Sequence, residues 1–247
     1  FNSGIIPNSP VVFKNGRLYF NSNKNIFYSI NMKNQGAIEW KVPINSSVDS
    51  TPIISNNVIY FAARNGYVYA INKTNGSVLW KKRYGTIVFK TKIAIKNAKL
   101  YFGTTEGYVF SINAKNGTII WKKRLNGGIW GNVAISNRSL FVGCEDSYVY
   151  SMNIDNGNIK WKTSVDNRII APVNLVNNRI IVIDFSGIMY ALNTSNGSKL
   201  WKKQIGRIIH NPIIYGNSIF VPKQNRIIQI NSNNGNILIN KALNSRI

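Results

Sequence analysis

The sequence predicts an all-β fold, a β-propeller of about six four-stranded antiparallel blades. Three observations predict it. A tryptophan recurs at a fixed period: Trp40, Trp80, Trp121, Trp161 and Trp201 stand 40, 41, 40 and 40 residues apart. Each follows a glycine by four residues (Gly36, Gly76, Gly117, Gly157, Gly197) and an asparagine by eight or nine (Asn31, Asn72, Asn113, Asn153, Asn193). The segments ahead of those asparagines alternate in period two with β-branched and aromatic residues, and no segment carries a helical period.

The second repeat shows each element in order. A strand opens around Pro52-Ile53-Ile54 and a second follows at Val58-Ile59-Tyr60-Phe61. The turn Asn65-Gly66 leads into a third, Tyr67-Val68-Tyr69-Ala70-Ile71. Asn75-Gly76 is expected to supply positive φ for a tight hairpin into the Trp strand. Repeats then run roughly over 5–44, 45–85, 86–125, 126–165, 166–205 and 206–247, as one propeller domain spanning 1–247. The sixth is degenerate: Asn231 and Gly235 keep register, but Ile239 stands where Trp belongs, so its junction should be less filled. The five periodic tryptophans are expected to be structural. A blade buries little alone, and a flat indole burying about 150–250 Å² can wedge between neighbours.

Composition narrows the function. The chain has 247 residues, 31 Lys+Arg against 8 Asp+Glu, and a net charge of +23. Hydrophobic residues at 44% support a folded core rather than a disordered basic tail. One cysteine excludes a disulfide framework within the chain, and no Cys/His cluster has zinc-ligand spacing. His210 is the only histidine, which leaves little room for His-based catalysis. No apolar run approaches the roughly 18 residues of a membrane helix. The chain opens on Phe1 without a signal peptide, so a processed or excised product is expected. The carboxylates (Glu39, Asp49, Glu106, Glu145, Asp146, Asp155, Asp166, Asp184) scatter over the repeats, mostly near turns. There is no phosphate loop or nucleophile elbow. No catalytic residue, cofactor or metal site is expected.

Two surfaces are candidates for binding. Nine residues after each docking tryptophan stand Asp49, Phe89, Trp130, Ile170 and His210, at the entry to each innermost strand. They mark either a partner-binding funnel, with Trp130 between Gly127-Gly128 and Gly131 as aromatic anchor, or a plug filling the channel. The second surface is a basic rim just after the docking tryptophans: Lys81-Lys82-Arg83, Lys122-Lys123-Arg124 and Lys202-Lys203, with single lysines at Lys41, Lys162 and Lys241. Such lysines block strand addition at an exposed edge, and they could equally meet an anionic surface. Nucleic acid is not expected, since no reading motif is present and the aromatics are committed to blade cores. The Asn-x-Ser/Thr sequons, such as Asn72, Asn75 and Asn116, overlap hairpin turns that already explain their asparagines.

The pattern Asn-x-x-x-Gly-x-x-x-Trp after an aromatic-rich strand resembles the PQQ-like β-propeller repeat, Ala-(Leu/Ile)-(Asp/Asn)-x-x-Thr-Gly-x-x-x-Trp. Ala70-Ile71-Asn72 to Trp80 and Ala191-Leu192-Asn193 to Trp201 match it best, though Asn replaces the usual Thr before Gly. The resemblance covers essentially the whole chain. WD40 propellers are a poor match, because no Trp-Asp dipeptide closes the blades. The family includes BamB-type scaffolds of outer-membrane protein assembly, sensor domains of larger membrane proteins, and calcium-quinone dehydrogenases. The resemblance implies a non-catalytic, extracytoplasmic scaffold for protein partners, periplasmic and held at a membrane through a missing anchor. An extracytoplasmic sensor or ligand-binding domain is the alternative. A quinoprotein fragment fits less well, because that site needs converging carboxylates and Cys144 is single.

Overall fold

The structure is a computed structural model and describes residues 5–85, 92–207, 211–223 and 225–243. Among these residues there are twenty-four strands in six four-stranded antiparallel sheets and no helix. Each sheet is a meander in sequence order. The first holds Val12–Lys14, Arg17–Asn21, Ile26–Asn31 and Ala37–Pro43; the second Ile53–Ser55, Val58–Ala62, Tyr67–Asn72 and Val78–Arg83. The third holds Ala94–Lys96, Lys99–Gly103, Tyr108–Asn113 and Ile119–Arg124; the fourth Ala134–Ser136, Ser139–Gly143, Tyr148–Asn153 and Ile159–Ser164. The fifth holds Asn174–Val176, Arg179–Ile183, Ile188–Asn193 and Lys199–Gln204; the sixth Ile213–Tyr215, Ser218–Lys223, Arg226–Asn231 and Ile237–Ala242. The chain divides into two compact units, 1–133 and 134–247, with three sheets in each.

The turns explain the meander. The first hairpin of each sheet turns through residues with positive φ, such as Asn56 (51°), or Asn97 (48°) and Ala98 (54°) together. Positive φ at both central residues is the type I′ geometry, whose twist matches that of the strands. The last hairpin is longer than the Asn-Gly pairs suggest. In the second sheet the Asn72 side chain accepts from the Thr74 N–H at 2.8 Å, and the Gly76 N–H returns to the Asn72 carbonyl at 2.9 Å. Of the Asn75-Gly76 pair, Gly76 takes positive φ (75°), while Asn75 instead accepts from the Ser77 N–H at 3.0 Å. The register shift between Ala70 and Ile71 completes a bulged turn. Asn113, Asn153, Asn193 and Asn231 make the same side-chain bond, each at 2.8 Å.

In the second to fifth sheets both faces of the inner strands are buried, which is why they read as near-continuous apolar runs. In unit 1, Ile59, Phe61 and Ile71 of the second sheet pack with Tyr19, Phe27 and Trp40 of the first. Tyr60, Val68 and Ala70 on the opposite face pack with Leu100, Phe102 and Ile112 of the third. In unit 2, Ile180, Val182 and Leu192 of the fifth sheet meet Phe141 and Val149 of the fourth. Ile181, Ile183 and Ala191 meet Ile219, Val221 and Ile230 of the sixth.

In Val78–Arg83 and Ile119–Arg124 the periodic tryptophan is the one buried side chain of an otherwise exposed outer strand. Its indole crosses to the next sheet. Nε1 of Trp40 donates to the Lys73 carbonyl at 3.0 Å, Trp80 to Ala114 at 3.0 Å, Trp161 to Thr194 at 3.2 Å and Trp201 to Ser232 at 3.0 Å. The ring lies on the next repeat's glycine: a Cβ at Gly76 would come within 2.8 Å of Trp40, and one at Gly117 within 2.9 Å of Trp80. The Gly and Trp of the pattern are therefore partners between successive repeats. In the sixth sheet Ile239 is 47% exposed and the whole of Ile237–Ala242 faces solvent.

Candidate binding surface

In the second and fifth sheets the loop before the first strand meets the turn between the second and third strands at one end of the sheet. In the second sheet the Arg64 N–H donates to the Ser47 carbonyl at 2.9 Å; in the fifth, the Phe185 N–H donates to Arg168 at 2.9 Å. A fully buried side chain pins the loops before the second, fourth and fifth sheets: Val48, Ile129 and Ile169. Gly103 and Gly143 leave the room, since a Cβ at either would lie 2.2 Å and 2.5 Å from Ile129 and Ile169 respectively. The residue after each pin is turned the other way. These are the candidate funnel positions Asp49, Trp130 and Ile170.

Trp130 is 36% and Ile170 38% exposed. Asp49 is occupied differently: its carboxylate accepts from Arg64 Nε at 2.5 Å. Phe89 and His210 lie outside the described residues.

The basic rim runs along the outer strands. Lys81, Lys82 and Arg83 are exposed, as are Lys122, Lys123 and Arg124; Lys202 is exposed and Lys203 half-buried. Tyrosines at the start of the neighbouring strand shelve part of this charge. Lys122 Nζ and Arg124 Cζ each stand 5.6 Å from the Tyr108 ring, and Lys162 Nζ stands 4.8 Å from Tyr148. Lys202 reaches Asp166 at 3.4 Å. Rim and loop candidates come together in unit 1. An open polar cleft of about 510 Å³ is lined by Glu106, Arg124, Asn126, Gly127 and Gly128, so its wall leads from the rim to the segment carrying Trp130.

One cluster had no signal in the spacing. The Arg168 and Arg207 guanidiniums lie 4.2 Å and 4.5 Å from the Phe185 ring, and Arg168 pairs with Glu145 at 3.7 Å. Phe185 occupies the turn position that Arg64, Thr105 and Glu145 hold in other sheets. Only that substitution in the repeat register could have flagged it.

The carboxylates serve local structure. Asp184 accepts from Ser186 Oγ at 2.7 Å and the Ile188 N–H at 2.9 Å, capping its turn. Asp146 accepts from the Tyr148 N–H at 3.1 Å and Tyr150 Oη at 2.5 Å. Burial, and then this bond, push the Tyr150 phenol well above its usual range. Asp155 pairs with Arg138 at 3.1 Å and Glu39 with Arg17 at 2.6 Å. Among the described residues no three His, Cys, Asp or Glu side chains converge as a metal site would require.

Six four-stranded meanders, with an indole passed from sheet to sheet, define a PQQ-like β-propeller. The model of the family described as outer membrane protein assembly factor BamB matches residues 3–123 and 64–246, and the chain belongs to that family. Among solved structures it is similar to BamB from Moraxella catarrhalis, with a TM-score of 0.85 at 16% identity over 98% of this chain and 78% of that one. It is also similar to the computationally designed Ika8 protein (TM-score 0.80, 14% identity, 94% of this chain and 73% of that). A europium-containing methanol dehydrogenase gives 0.82 at 11% identity, covering 98% and 72%. At these identities the likenesses show the fold. No curated protein sequence matches the chain.

Proposed function

We propose that this is a non-catalytic propeller scaffold that holds protein partners outside the cytoplasm, in the manner of BamB-type assembly factors. One observation carries the reading. The carboxylates that a catalytic or calcium-quinone centre would draw on are spent on turns and ion pairs, while the same ends of the sheets turn Trp130 and Ile170 outward. A half-exposed indole on a pinned loop is a low-entropy anchor for a protein surface. The periodic tryptophans carry the structural role and residues 1–247 form one propeller domain. The basic rim is a secondary contact for an anionic partner face.

The experiment is site-specific photocrosslinking in the native source. A benzoylphenylalanine at Trp130 is expected to give a discrete protein adduct, whereas one at Leu79, exposed on an outer strand, gives none. Identical adducts at both positions, or none at either, would overturn the reading. Added quinone with calcium is expected to leave Tm unchanged. A rise of several degrees would instead favour the dehydrogenase class.

A further inference from the structure

Three cations gather at one end of the fifth and sixth sheets, both in unit 2. Arg168 stands in the loop before the fifth sheet, Arg207 in the loop that leaves it, and Lys223 at the end of the second strand of the sixth. The Arg168 and Arg207 guanidiniums lie over the Phe185 ring, at 4.2 Å and 4.5 Å. The backbone builds this arrangement. A Cβ at Gly187 would lie 2.2 Å from the Gly206 carbonyl carbon, so two glycines in contact hold the Arg207 segment against the Phe185 turn. Lys223 Nζ lies 2.9 Å from where a Gly206 Cβ would sit, which carries the positive charge on to the sixth sheet.

Little of this charge is answered within the chain. Glu145 Oε1 stands 3.7 Å from Arg168 Nη1, beyond direct hydrogen-bond length. Among the described residues no carboxylate pairs with Arg207 or Lys223. The other acids of unit 2 are engaged: Asp146 by Tyr150, Asp155 by Arg138, Asp166 by Lys202 and Asp184 by its own turn. A guanidinium over a ring face keeps its N–H donors at its edge, where a carboxylate takes them two at a time. Ile170, two residues after Arg168, is 38% exposed, and the fully buried Ile169 between them faces the sheet. The cations stand on three separate segments with an apolar neighbour. An extended chain carrying several acids meets them better than one compact anion. We propose that this end of unit 2 binds an acidic peptide segment, whose carboxylates take the Arg168 and Arg207 forks while an apolar side chain rests on Ile170. The inference deepens the scaffold reading and rests on it in taking a protein segment as the ligand.

The test is a titration of the whole chain with the peptide Glu-Glu-Leu-Glu-Glu, acetylated and amidated, at about 0.15 M salt. The Nε–H NMR signals of Arg168 and Arg207 are expected to shift together, to saturation. Arg168→Gln with Arg207→Gln should weaken binding about tenfold, through loss of charge-assisted hydrogen bonds. Lys122→Gln with Lys123→Gln removes the same charge from the rim and should weaken it less than about twofold. Arg168→Lys with Arg207→Lys keeps the charge but loses the forks, and should still bind more weakly than the parent. Serine in place of the peptide's leucine should also weaken binding. Urea midpoints should match the parent in every variant, since the substituted side chains are exposed. If one shifts, the arginine signals of the parent chain still decide. No saturable shift of both arginines, or an equal loss from the cluster and rim pairs, overturns the proposal. Displacement of the peptide by an equal concentration of inorganic phosphate makes this a small-oxyanion site, and displacement by phosphatidylserine vesicles makes it a lipid contact; either overturns the peptide assignment. The two readings fail separately, because a missing Trp130 adduct leaves this titration standing and a failed titration leaves the Trp130 adduct standing.

Discussion

Glu39 is held by three donors: Arg17 Nε at 2.6 Å, Asn31 Nδ2 at 2.9 Å and Ser29 Oγ at 3.1 Å. The Arg17 bond foremost keeps its carboxyl below the ordinary value of 4.5. A carboxyl whose folded-state pKa lies below its unfolded value contributes stability that is present above the unfolded pKa. That stability is lost as pH falls through the folded one. Stability should therefore decline as pH drops below about 4.5, and Glu39→Gln should flatten part of the decline. Urea midpoints measured at about pH 7, 5, 4 and 3 check this; an equally steep fall in the variant would contradict it. Tyr84 behaves oppositely at the alkaline end. It is buried, donates to the Gly117 carbonyl, and has its phenol pushed up to about 12 by burial. Stability should fall as pH rises from 10 toward that value, and Tyr84→Phe should remove its share.

At the scale of the element, the last hairpin of one sheet and the tryptophan of the preceding sheet form a single joint. Gly76 is needed twice there, for its positive φ of 75° and for the Trp40 ring 2.8 Å from where a Cβ would sit. Gly216 has a positive φ of 56° and nothing within 4 Å of its Cβ direction. Gly216→Ala should cost about 1 kcal/mol, the left-handed penalty alone. Gly76→Ala should cost more, by about 1–3 kcal/mol of overpacking. Equal urea midpoints for the two variants would remove the indole from this joint.

The periodic Trp, Gly and Asn were legible in the sequence because each repeat needs one of each, and a joint repeated at fixed period is visible in one dimension. Their pairing was not legible. Gly76 lies 36 residues after its partner Trp40 and four before Trp80, and the nearer tryptophan looks like the natural partner. The bulged turn was hidden for a similar reason. Asn75-Gly76 has the composition of a two-residue turn, and only the bond from Gly76 back to Asn72 shows the longer loop. Of the candidate binding residues, Trp130 stood out as the tryptophan that breaks the period. The Arg168–Phe185–Arg207 cluster did not, because its members come from three separate turns and loops.

Across the whole molecule, a charge of +23 rests on a framework that needs little of it. Most rim cations stand over tyrosine faces or in solvent, and exposed charges of this kind contribute little to folding. Reversing Lys122, Lys123 and Arg124 to glutamate should therefore move the urea midpoint by no more than about 0.5 kcal/mol equivalent. The same change should weaken adsorption to vesicles containing anionic lipid, with a difference that shrinks as salt shortens the screening length below about 8 Å. Loss of folding in this triple variant would place the rim in the core economy of the sheets. Unchanged adsorption would leave it as edge protection alone.

The sharpest division is between the two kinds of tryptophan. Trp80 is 9% exposed, bonded to Ala114 and seated on Gly117; Trp130 is 36% exposed on a pinned loop. Urea unfolding of Trp80→Ala and Trp130→Ala beside the parent chain tests it. The expected result is a loss of about 3–5 kcal/mol for Trp80→Ala and less than about 0.5 kcal/mol for Trp130→Ala. A tolerated Trp80→Ala, or a Trp130→Ala that unfolds the chain, would contradict it.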